Sequence, residues 1–218
     1  MLAAALVVGL GGCASTPVGR AAGLRRLPST SAPPATTTST TDPGALPETG
    51  VLPPADDPQF DRAMGALWQG VVDDSVPTAM PAFFPERAYL QVKTVEDPAA
   101  DFSGRLLSEF AADLGAAHAL LGPGASTATL ETVEVPEQYA HWVPPGVCAN
   151  RVGYYEVADA RLVYRQAGVV RSFGIASLIS WRGEWYVVHL GAVVRSGAGG
   201  EVDDPETGPG SAPPSTTC

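Results

Sequence analysis

Cysteine, methionine and histidine occur three times each in the 218 residues, and lysine only once, at Lys93. Aromatic residues make up 7% and charged residues 17%, the latter well under the ~25% of an average globular domain. Each shortage excludes something. There is no CxxC pair and no HExxH, so neither common zinc pattern is present, and no metal site is expected. There is no GxxxxGK[ST] loop to cradle a nucleotide's phosphates and no GxSxG elbow to present a nucleophile. No cofactor is expected. Positive charge is short as well: 13 Lys+Arg stand against 23 Asp+Glu, for a formal net charge of −10 and a pI near 4.6. A nucleic-acid binder needs a basic face to neutralise phosphates, so that class is excluded. No apolar run reaches the ~18 residues of a membrane-spanning helix.

What is present is unevenly distributed. Gly (24) and Pro (21) crowd the two ends. Residues 1–12, MLAAALVVGLGG, have the length and apolarity of a signal-peptide core, and Cys13 follows Leu10-Gly11-Gly12 at once. An aliphatic residue, two small residues and a cysteine resemble a bacterial lipobox. In that family the cysteine is diacylated on sulfur and becomes the mature N-terminus. No Lys or Arg precedes the run, as a start codon assigned too late would leave it. The resemblance implies a signal peptide over 1–12, a lipid on Cys13, and attachment to the cell membrane on its extracytoplasmic face. Each buried CH₂ of such a lipid contributes ~0.8 kcal/mol, so two chains hold a protein at the surface.

Residues 13–57 read as a disordered Ser/Thr/Pro-rich linker, too poor in apolar area to offset chain entropy. As a flexible coil it spans at least ~35–40 Å. Arg20, Arg25 and Arg26 read as solvated linker charge. Leu46-Pro47-Glu48-Thr49-Gly50 looks like a sortase signal, but that signal stands near a C-terminus before a hydrophobic segment and a basic tail, and here it has neither. Residues 196–218 read as a disordered, acidic Gly/Pro-rich tail.

The body, residues 58–195, carries all four Trp. Asp57-Pro58 has the form of a helix start, and Phe60, Met64, Leu67, Trp68, Val71 and Val72 follow at helical spacing. Val76-Pro77 opens a short second helix. Tyr89 to Val95 alternates like a strand. A longer helix from about Ala100 to Leu121 carries the stripe Leu107, Phe110, Leu114, Ala117, Leu121, and Gly122-Pro123-Gly124 stops it. The period then changes to two. Strands are expected over 128–135, 152–165, 169–181 and 184–193, with tight turns at Gln166-Ala167-Gly168 and Arg182-Gly183. Leu162, Tyr164, Phe173, Ile175, Ile179 and Trp181 would share one face, and Arg161 and Arg165 the other. Gly153, Asp159 and Gly174 are the expected bend points of strands this long. Trp181 and Trp185 flank the second turn and can pair across it. The fold class is therefore α+β: N-terminal helices and one longer helix packed on a curved antiparallel sheet.

This order of elements resembles the nuclear-transport-factor-2-like (SnoaL-like) cone fold over about 58–193. The resemblance implies a pocket at the open end of the cone. Some members are isomerases or cyclases, others non-catalytic binding or assembly modules. The first expectation here is a non-catalytic module that binds an envelope protein or a small ligand. Trp68, Tyr89, Tyr154, Glu156, Trp185 and His189 are the candidate lining residues. The alternative is an isomerase- or cyclase-like enzyme with His189 as acid/base and Glu156 or Asp159 as its carboxylate partner. His118 borders the helical stripe and reads as structural, and His141 as exposed. In an exported chain Cys148 and Cys218 can form a disulfide. Closing a loop of about 70 residues would contribute on the order of 4 kcal/mol.

Overall fold

The computed structural model describes residues 42–214. The apolar start, Cys13 and Cys218 lie outside them. Asp57 caps helix α1 (Pro58–Asp73): its carboxylate accepts from the backbone N–H groups of Gln59 and Phe60, and Pro58 fills a position that needs no N–H. Phe60, Met64, Leu67, Trp68 and Val71 are its buried stripe. The helix ends at Asp74, a left-handed residue with φ 50°. Helix α2 (Val76–Ala79) turns back on it so closely that a Cβ on Gly70 would lie 2.9 Å from the Ala79 nitrogen.

The segment read as a strand from Tyr89 is a helix, α3 (Glu86–Val92). Ala88, Tyr89 and Val92 are buried at helical spacing while Leu90 stays partly exposed. A short apolar run cannot tell the two periods apart. Helix α4 (Pro98–Asp101) passes through one π-turn, Phe102–Leu106, into α5 (Leu107–Leu121). Phe102, Leu106, Phe110 and Leu114 are all buried at intervals of four. A regular helix would rotate such a row off one face, and the wider turn takes up the difference.

The curved, unclosed antiparallel sheet has two 13-residue central strands, β3 (Tyr154–Gln166) and β4 (Val169–Trp181). Two short strands share the outer side of each. Along β3 run β1 (Thr129–Glu134) and β2 (His141–Val143). Along β4 run β5 (Glu184–His189) and β6 (Asp203–Thr207). The ladder of β3 and β4 keeps its register but lacks a pair at Asp159, which sits at φ 56°, one of the expected bend points. Register places Trp181 opposite Glu184 and Trp185 opposite Ser180. The two indoles therefore sit on alternate sides of the sheet and do not pair, because strand side chains alternate. From Ser172 to Trp181 every residue of β4 is buried, so both faces are covered there. Arg161, expected outside, is buried too.

The cover comes partly from segments read as disordered. Residues 42–57 lie on the body: Trp181 Nε1 donates to the Pro43 carbonyl (3.1 Å), Arg182 donates to the Pro47 carbonyl (2.6 Å), and its backbone N–H donates to Glu48 (2.6 Å). Composition misses this because the acceptors are mostly main-chain carbonyls. The tail likewise contributes β6, which pairs through its backbone and lays Asp204 on Arg161.

Candidate functional site

Four residues singled out in the sequence meet in one small cavity. Tyr89 of α3, Tyr154 and Glu156 of β3, and His189 at the end of β5 line about 60 Å³, with Lys93, Ser177 and Val193 beside them. The elements explain the convergence. Helix α3 lies over the face of β3 and β4 that carries Tyr154, Glu156, Ser177 and Ile179, and His189 pairs with Ser177.

The cavity is polar but heavily desolvated. Burial is the first cause that pushes the His189 imidazole down to about 4, with Arg105, Arg195 and Lys93 adding to it. His189 is therefore neutral at pH 7. Its Nδ1 has no hydrogen-bond partner and lies 3.9 Å from Glu109 Oε2. Glu156 accepts a 3.3 Å bond from Ser177 and lies 3.6 Å from His141 Nε2. His141, expected to be exposed, is thus half-buried in β2. Burial also raises Tyr154 to about 12 and lowers Lys93. Tyr89 is raised, first by burial and then by its hydrogen bond to Asp101, which Arg105 clamps in turn. Among the described residues no group of three or more His, Cys, Asp or Glu could hold a metal ion.

The other candidates lie elsewhere. Asp159 is on the far stretch of the sheet, close enough to Asp203 to help push that carboxyl up to about 6, after burial. Trp68 packs on Tyr164 with ring centres 5.2 Å apart and lines neither cavity described here. Trp185 faces a second, larger depression, an open cleft of about 770 Å³. Phe60, Ala63 and Ala66 of α1, Met80 and Pro81 after α2, and Tyr186 of β5 form its walls, and Arg62 and Glu184 also line it. The sequence reading missed this cleft, because its walls come from residues off the α1 stripe, such as Ala63 and Ala66, together with Met80, Pro81 and Tyr186, which only the fold brings together. It also missed Lys93, whose one available signal was being the chain's single lysine.

As a catalytic group His189 would need a carboxylate in contact and space for a substrate. Glu109 lies beyond hydrogen-bond length, and about 60 Å³ accommodates only a few waters or a molecule of three or four heavy atoms. The cleft has the size of a small-molecule site and a largely apolar lining, with Arg62 and Glu184 as its charged groups. Cys148 is disulfide-bonded; the other two cysteines lie outside the described residues. No family model matches the chain, and neither the curated proteins nor the solved structures contain a match.

Proposed function

We propose that this chain is a lipid-anchored cell-envelope protein whose α+β body is a non-catalytic module binding a small apolar ligand. The cleft between α1 and β5 carries the reading. Its volume is about 770 Å³, within the ~300–1,000 Å³ of small-molecule sites, which are mostly apolar with a few polar groups. Arg62 and Glu184 supply such groups. Burial raises the Glu184 carboxyl, and Asp57 adds to the effect, as expected where water is partly excluded. The lipobox-like Leu10-Gly11-Gly12-Cys13 supports the anchor, and the cone-like order of helices and strands supports a binding module.

The test has two parts. An environment-sensitive apolar dye, N-phenylnaphthylamine, is expected to brighten on the wild-type protein. Ala66→Trp, which fills the cleft, is expected to abolish the signal while leaving the circular dichroism unchanged. Equal dye binding by both proteins overturns the cleft reading. Radiolabelled palmitate is expected to enter the wild type and not Cys13→Ala, and failure to label the wild type overturns the anchor.

A further inference from the structure

We propose that Lys93 is a covalent capture site for small aldehydes, forming an imine inside the cavity it shares with Tyr154, Glu156 and His189. The placement of the amine carries the argument. Lys93 stands directly after α3, and its backbone is pinned. Arg151 donates to its carbonyl, and Lys93 itself bridges to Asn150. The side chain lines the cavity, and its Nζ donates a 3.0 Å bond to the Cys148 carbonyl. A carbonyl oxygen can accept that bond but cannot protonate the nitrogen. It fixes the position of Nζ, and the lone pair is available for attack whenever the amine is uncharged. Burial, the largest influence, and the nearby Arg105 both favour the uncharged form; Asp101 and Glu156 oppose them. Desolvated lysines of this kind are the ones that form Schiff bases.

The walls limit the partner's size and charge. About 60 Å³ admits a carbonyl compound of about three carbons. Glu156 disfavours a carboxylate on that compound, which leaves a neutral aldehyde. In the reaction the Nζ lone pair attacks the carbonyl carbon and forms a C–N bond. The two protons of the attacking amine pass to the carbonyl oxygen, the C–O bond breaks as that oxygen leaves as water, and the C=N imine remains. Neutral His189, with an unpartnered Nδ1, and the Tyr154 hydroxyl are the groups placed to relay those protons. The redox state does not change. This site is separate from the apolar cleft and does not depend on it.

The full chain is incubated at pH 7 with propionaldehyde and cyanoborohydride, which reduces the imine to a stable propyl amine, and then analysed by intact mass and peptide mapping. A single-lysine chain makes the assignment clean. One propyl group is expected on Lys93, added faster than to N-acetyl-lysine amide in the same tube, since a lowered pKa leaves more of the amine free. The rate is expected to level off at a pH below that of the model amine. Lys93→Arg is expected to take no label at that position and to keep its dye binding in the cleft. Labelling confined to the α-amine, or Lys93 reacting no faster than the model amine, overturns the proposal.

Discussion

At the scale of single residues, His189 sets the clearest expectation. Its ordinary value of 6.5 falls to about 4 in the fold, so between those values the unfolded chain takes up the proton more readily. Stability is then present above pH 6.5 and is lost as pH falls toward 4, by on the order of 3 kcal/mol. Asp203 acts in the opposite sense: raised to about 6, it contributes most at low pH and loses that contribution as pH rises through 6. Urea unfolding of the wild type and of His189→Gln at pH 7 and pH 4.5 separates the two. The variant is expected to lose less stability on acidification, and an equal loss in both proteins would show that the imidazole is not desolvated. Side chains on regular strands were the legible part of this site. Tyr154 and Glu156 share a cavity because a period of two places them there. His189 joins them through the register shift between β4 and β5 that sets it opposite Ser177, off the face of Trp185 and Val187 that simple alternation predicts. Tyr89 reached the same cavity from a helix rather than a strand, and Asp159 missed it because it stands three positions along β3 from Glu156, on the other face of the sheet.

At the scale of elements, the contact of α1 and α2 gives a prediction in which two effects compete. Helix propensity favours Gly70→Ala by ~1 kcal/mol. The new Cβ would meet the Ala79 backbone at 2.9 Å, and overpacking of this kind costs about 1–3 kcal/mol. Because the opposing atom is main chain and cannot swing away, a net loss of about 1–2 kcal/mol is expected in thermal or urea unfolding, and a stabilised variant would mean that the two helices part readily. Helix α1 was legible because cap, proline and stripe agree. Helix α3 was not, since seven residues supply too few periods to decide. Strand β6 was hidden for another reason. Asp203-Asp204-Pro205-Glu206 carries no apolar alternation and joins the sheet through backbone pairing and the Asp204–Arg161 ion pair.

At the scale of the whole molecule, the covalent framework tests the anchor. Cys148 is disulfide-bonded, and a sulfur that carries a lipid cannot also form a disulfide. Non-reducing peptide mapping of the membrane fraction is therefore expected to recover Cys148 joined to Cys218. A Cys13–Cys148 peptide would overturn the bridge and the anchor together. The way residues 42–48 are fastened has a mechanical consequence. In a chain held at a membrane by its N-terminus, traction arriving at residue 42 meets Gly44 held by Gln91 and Pro43, Pro47 and Glu48 held by Trp181 and Arg182 before it meets α1. These side-chain bonds act as a fuse. They yield first and lengthen the tether by a few residues, and the body's own helices carry no load until they have let go.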